Sequence, residues 1–241
     1  MTILCLHPYT LSPSHPLTLS SKLAVSVVNR LPVKLLPVAL NVQDKRCLIV
    51  GGGSVAQRKA KSLVECGAQV TVISPDLCDG FASFMGNIQH LPRVFQSGDV
   101  QDYYVVFACT SNPAVNATVA REAQAQGIWC NVADDPAESD FHSAAAVRRG
   151  EVCIGITTAG GSPALARHLK TQVEQCIGPE YEQLLEIVSL RRAALQEKFD
   201  AQQERAEIWR AILASNVLQL LKNNRRMDAE ILVDEIIESN R

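Results

Sequence analysis

Apolar positions in the first half of this chain fall into short continuous runs separated by stretches of helical period. Residues 47–50 (CLIV) form such a run, as expected for a parallel strand covered on both faces. Val70, Val72 and Ile73 begin a second, residues 88–91 a third after a short helix, residues 104–108 a fourth and residues 128–132 a fifth. Between the fourth and fifth runs, Asn112 and Pro113 read as a helix start, Asn as cap and Pro in the first turn, and Gly127 as its stop. Strand and helix thus alternate, which predicts a mostly parallel sheet. Residues 35–42 are apolar but contain Pro37, which predicts an edge strand or a lead-in loop.

Beyond Pro136 the rhythm changes. Residues 144–147 and 152–157 flank Arg148, Arg149 and Gly150, a hairpin pattern. Gly160 and Gly161 break the chain, Ser162 and Pro163 start a helix, and from Pro179 onward the pattern is almost wholly helical. Leu184, Leu185, Ile187 and Val188, then Ile208, Trp209, Ile212 and Leu213, form stripes that read as bundle core, with a cover over a site or an intersubunit contact as the other reading. Residues 230–238 form an acidic amphipathic tail helix, and no internal repeat is present.

The bend after the first run carries the most information. Gly51, Gly53 and Ala56 fit G-x-G-x-x-A: one glycine for the tight turn, a second to leave room for a diphosphate, a small third residue for close helix packing. The amides at the start of the following helix favour an anion, and Gly67 is placed to end that helix. Strand, turn, helix and second strand in this order predict a bound dinucleotide. An acidic residue at the end of the second strand is missing; the chain reads Ser74, Pro75, Asp76. Asp76 is placed either to reach a ribose or as a solvated turn residue. No arginine stands there to favour a 2′-phosphate, which points to NAD rather than NADP.

Composition narrows the classes. The 241 residues are 47% hydrophobic, enough for a sizeable core, and the net charge of -2 with 5% aromatics argues against a nucleic-acid partner. Eight scattered cysteines, without C-x-x-C or Cys/His spacing, read as reduced thiols of a cytoplasmic protein with no metal site. No run reaches membrane-spanning length. Residues 1–34, with Pro8, Pro13 and Pro16, are expected to be a poorly ordered extension or to follow from an upstream start.

Four segments in order resemble one family: LPVALNVQDKRCLIVGGGSVAQRKAKSLVECGAQVTVISP, VVFACTSNPAVN, WCNVADDPAESDFHSAAAVRRG and GITTAGGSPALARHLK. They are similar to the precorrin-2 dehydrogenases of sirohaem synthesis, some of which are also sirohydrochlorin ferrochelatases. The resemblance implies an α/β fold: a Rossmann-like parallel-sheet domain (35–142), a small α+β dimerisation and substrate region (143–178) and a helical C-terminal region (179–241). It implies a homodimer that uses NAD to dehydrogenate a tetrapyrrole. Carried over by position, Gly51, Gly53, Ser54 and Val55 fall on the diphosphate loop; Ser74, Pro75 and Asp76 fall near the ribose; Thr110, Ser111, Asn131 and Val132 lie at strand ends facing the crevice.

Two positions depart from the family pattern. Asn112 stands where A-T-x-D supplies the acid credited with both chemistries, and Ala144 replaces a proline. Both Asn and Asp cap a helix, but only the carboxylate accepts a proton. Hydride transfer rests on placement and tolerates the swap; metal insertion, which removes two pyrrole protons, is expected to suffer more. Asp134 and Asp135 are better read as turn residues, though either is placed to substitute for the acid. His142 is a candidate proton carrier, with a structural histidine the commoner reading. Arg148, Arg149, Arg167, His168 and Lys170 are candidates for a carboxylate-rich substrate, and singly read as solvated surface charges. A non-catalytic dinucleotide- or tetrapyrrole-binding regulator of the same fold, supported by Asn112, is the competing class. A nucleotide-gated transporter subunit shares the glycine turn but not the GGSPALAR segment.

Overall fold

The computed structural model describes residues 34–133 and 135–239, so the expectations for the N-terminal extension and for Asp134 lie outside the described residues. Residues 35–42 form no strand: Leu36 and Val38 stay exposed, and the segment is the lead-in loop of the two alternatives. β1 (Arg46–Val50) follows, then α1 (Ser54–Glu65), β2 (Gln69–Ile73), a 3-10 segment (Asp79–Asn87) where a short helix was expected, β3 (Ile88–Leu91), β4 (Val105–Ala108), α2 (Pro113–Ala125) and β5 (Trp129–Val132). All four pairings are parallel and the order is β3-β2-β1-β4-β5, so the chain reverses its direction of winding beside β1. This is an α/β Rossmann-like sheet, and its ligand crevice is expected above that reversal, at the carboxyl ends of the strands.

The apolar runs are explained by burial on both faces. Cys47 and Ile49 face one layer, with Ala56, Ala60, Phe81, Phe84 and Phe107; Leu48 and Val50 face the other, with Val106, Val119, Ala120 and Cys130. Each strand residue alternates between the two cores. α1 ends where the sequence placed its stop. Gly67 has φ +75°, its N–H donates to Val64, and the N–H of Ala68 donates to Leu63, so two terminal carbonyls are satisfied by one left-handed residue. Gly127 closes α2 in the same way, through Gln124 and Ala123.

β6 (Ala145–Arg149) and β7 (Val152–Ile156) make the expected antiparallel hairpin, and α3 (Pro163–Cys176) packs against it. α3 has no buried residue, and Leu165 and Leu169 are 48% and 36% exposed. The rest is helical: α4 (Glu180–Lys198), α5 (Gln202–Ala214), α6 (Val217–Lys222) and α7 (Arg226–Ser239). They enclose a third core of Leu184, Ile187, Leu195, Ile208, Ile212, Val217, Leu221 and Val233, so the apolar stripes serve chiefly as bundle core. Leu213 is the exception and points outward. Arg191 clamps α4 to α7 through Asp234 at 2.5 and 2.7 Å. Among the described residues, no helix is long and apolar enough to cross a membrane.

The seven described cysteines are free. Burial pushes the Cys47 thiol up to about 11, and burial followed by the nearby Asp140 carboxylate pushes Cys130 up to about 12. The folded state therefore holds thiol protons that the unfolded chain releases near pH 8.5. Stability from these groups is complete below that pH and is lost as pH rises toward 11–12, by at most about 1.4 kcal/mol per pH unit per thiol. Urea denaturation at pH 7, 9 and 10 should show Cys130→Ala with a shallower loss of stability above pH 9 than the unaltered chain.

Candidate functional site

A cleft of about 830 Å³ opens at the carboxyl edge of the sheet, and residues following all five strands line it: Gly51–Val55, Ser74–Cys78, Arg93–Phe95, Cys109–Asn112 and Ala133. Three glycines build its floor by different means. Gly51 has φ +121°, and a Cβ there would run into the backbone carbonyl of Cys109. A Cβ on Gly52 would run into the backbone oxygen of Asp76, so the β1 loop and the β2 loop meet backbone to backbone. Gly53 is the reverse case: a Cβ there would meet nothing within 4 Å. Its missing side chain is open cleft, which is the room a diphosphate needs.

α1 begins at this opening. Gly53 is its N-cap and supplies no side-chain bond, and the first turn holds no acidic residue. The first-turn amides are therefore uncapped toward the cleft, with the positive end of the helix dipole behind them. α2 and α3 differ: Asn112 Oδ1 accepts from Ala114 N at 3.0 Å, and Ser162 Oγ accepts from Leu165 N at 3.2 Å. The residues present fit a dinucleotide, with Gly53, Ser54 and Val55 around the diphosphate.

Beyond β2, Ser74 donates from Oγ to Asp76 O at 2.7 Å, and Cys78 N donates to Gly52 O at 2.8 Å. The Ser74 hydroxyl is spent on shaping the turn, which leaves Asp76 exposed on the cleft wall as its sole carboxylate among the described residues. On the β4 side, Thr110, Ser111 and Asn112 line the cleft. Thr110 is clasped by Asn116: its N–H and Oγ1 both donate to Asn116 Oδ1, at 3.0 and 2.7 Å, and Asn116 Nδ2 donates back to Thr110 O at 3.1 Å.

Several expected site residues lie elsewhere. Asn131 and Val132 are buried in β5 rather than on the cleft wall; Asn131 Nδ2 donates to Phe141 O at 2.8 Å and Val132 N donates to Ser139 Oγ, and Ala133 lines the cleft in their place. Both residues tie down the loop after β5. His142 also sits off the cleft, its ring 3.4 Å from Pro136 O. Asp135 Oδ1 accepts from Ala137 N and Glu138 N, which makes it a turn residue.

None of the five basic candidates lines the cleft, although Arg149 and Lys170 share a partner in Glu174. Arg148 donates to the sulfur of Cys66 just past the far end of α1, and Arg149 donates to Glu174 O near the end of α3. Arg167, His168 and Lys170 stand further toward the start of α3, with Lys170 paired to Glu174 at 3.6 Å.

Three residues escaped sequence reasoning. Gly52 carries no sequence signal, because its crowding is with Asp76, a segment distant in sequence. Asn116 carries a signal that was available: an amide side chain on the inner face of a short apolar helix must be satisfied locally. Arg93 removes the ground for preferring NAD over NADP by the lack of an arginine, because an arginine does line the cleft, following β3 rather than β2. Among the described residues, no group of three or more His, Cys, Asp or Glu is placed to hold a metal ion.

Known proteins share these features. A family profile described as "Putative NAD(P)-binding" matches residues 38–145. The chain is 36% identical over 179 residues to a protein named "Siroheme synthase" from Methylobacillus flagellatus, an alignment covering 73% of this chain and 38% of the other. It is 34% identical over 211 residues to the siroheme synthase of Methylococcus capsulatus, covering 85% and 44%. Over those aligned parts the chain is similar to the sirohaem synthases. It spans less than half the length of these relatives. A solved structure titled "SirC, precorrin-2 dehydrogenase" shares the fold, with a TM-score of 0.66 at 20% identity over 83% of this chain and all of the other.

Proposed function

We propose that this chain is an NAD-dependent dehydrogenase of sirohaem synthesis that converts precorrin-2 to sirohydrochlorin. The observation that carries this reading is Gly53: open space where its side chain would be, directly before an uncapped helix N-terminus. The titled activity of the structural neighbour and the names of the relatives supply the substrate class. The bound nicotinamide supplies a hydride acceptor for the reduced macrocycle. The chain's own part is placement. α1 amides hold the diphosphate, Asp76 is placed for the ribose hydroxyls, and Thr110 and Ser111 form the β4 wall of the cleft. Among the described residues lining the cleft, no carboxylate follows β4 beside Thr110 and Ser111, so in this reading that wall orders the site and does not take up the proton that accompanies hydride loss.

Asn112 argues that metal insertion is weak or absent. Its Oδ1 is occupied by the α2 cap, and an amide takes no pyrrole proton. The protein's setting in this reading is the cytoplasm. The active form in this reading is a homodimer, since α3 and the hairpin leave Leu165 and Leu169 uncovered. Arg167 and His168 on α3 are then placed to meet substrate carboxylates only where a second copy completes the site. The competing reading, a non-catalytic binding protein of this fold, is favoured by the same Asn112.

Precorrin-2 mixed with the protein and NAD should yield NADH and sirohydrochlorin in equal amounts; binding without turnover would establish the regulator instead. Gly53→Val should fold as the unaltered chain does, because its side chain meets only open space, and should lose at least tenfold in NADH affinity by fluorescence titration. Asn112→Asp should keep the helix cap and raise ferrous or cobaltous insertion into sirohydrochlorin, measured by absorbance. Sedimentation equilibrium should return twice the chain mass, and Leu169→Glu should shift it toward one.

A further inference from the structure

Arg93 is the sole cation among the described residues that line the cleft. It follows β3, whose end is fastened to the ribose side: Ser74 N donates to Leu91 O at 3.2 Å, and the His90 ring lies 2.9 Å from Ser74 O. An arginine so placed would ordinarily recruit the 2′-phosphate of NADP. Here three of its five N–H donors are already taken. Nη1 donates to Asp99 Oδ2 at 2.7 Å and to Val94 O at 3.0 Å, and Nη2 donates to Asp99 Oδ1 at 2.8 Å. Asp99 is itself fixed, since its Oδ2 also accepts from Gln96 N at 2.7 Å. The hydrogen bonds from Arg93 hold the Asp99 carboxyl below the ordinary carboxylate range, so the pair is fully charged at neutral pH.

We propose that the Arg93–Asp99 pair sets the choice between the two nicotinamide dinucleotides, with Asp99 holding the cleft's cation away from a ribose 2′-phosphate. This rests on the dinucleotide reading above. The bidentate fork to Asp99 satisfies the Nη1–Nη2 edge of the guanidinium and offsets its charge. A 2′-phosphate entering beside it would meet a neutralised pair and the exposed Asp76. A ribose 2′-hydroxyl carries no charge and is not penalised. Arg93 in this account contacts the cofactor's ribose side, and Asp99 is a positioning residue that acts through it.

The test is calorimetric titration of the full chain with NADH and with NADPH at one ionic strength, read as the ratio of the two affinities. The unaltered chain should favour NADH. Asp99→Asn should raise the NADPH share about tenfold or more, the worth of one released charge-assisted hydrogen bond. Arg93→Gln, which leaves Asp99 unopposed, should lower it, and the double variant should lose the gain seen with Asp99→Asn. A ratio unmoved by Asp99→Asn, or a gain that survives in the double variant, overturns the proposal. Should Asp99→Asn fail to fold by circular dichroism, an unmoved ratio in Arg93→Gln overturns it equally. An unaltered chain that binds neither nucleotide overturns the cofactor reading as well, whereas NADH binding with an unmoved ratio overturns the role of the pair alone.

Discussion

The cleft exists because three backbone segments touch with no side chain between them. Gly51 lets the end of β1 lie against the carbonyl of Cys109, and Gly52 lets the next peptide lie against Asp76. Gly51 N donates to Ile73 O, Cys109 N to Val50 O and Cys78 N to Gly52 O, each at 2.8 or 2.9 Å. Those contacts fix where α1 starts relative to the ends of β2 and β4. They therefore fix where its uncapped amides converge. A side chain at either glycine would separate segments that every other site residue takes its position from, whereas one at Gly53 would leave the scaffold and fill the site.

The two sheet cores and the helical bundle each bury apolar groups from several elements, but the region between them does not. In the hairpin and α3, Val147 is the one buried hydrophobic residue among those described. A two-stranded hairpin with a single helix does not offset the entropy of ordering its backbone on such burial. Its order must come from neighbours: Arg148 reaching Cys66, Gly150 close against Glu182 of α4, and Gly160 close against Pro136. The exposed apolar face of α3 is what remains to be covered.

The sheet was legible because each strand is a short apolar run and each helix carries its own stop, at Gly67 and Gly127. The glycine turn was legible because its chemistry is local. What could not be read was which end of the sheet each later segment returns to. The basic residues of the hairpin and of α3 are near in sequence, yet Arg149 meets α3 at Glu174, seven residues or about 10.5 Å along the helix from Arg167. Asn131 falls on a strand end as expected but points into the protein, because the loop after β5 needs an anchor at Phe141. Arg93 and Gly52 matter through partners that only the sheet order brings near.

Asn112 separates a structural duty from a chemical one at a single position. The cap is kept in full: its Oδ1 bonds Ala114 N, and Thr110 Oγ1 accepts from its own N–H at 3.2 Å. Asn116 then locks Thr110 from the other side, so the wall of the cleft is as well ordered as a carboxylate would have made it. What the position lacks is a proton acceptor. A reaction driven by hydride acceptance and gain of conjugation needs the ordered wall more than the acceptor. A reaction that strips two protons from the macrocycle needs the acceptor itself. In the proposed reading the same geometry supports one chemistry and withholds the other, and the difference lies in one amide nitrogen.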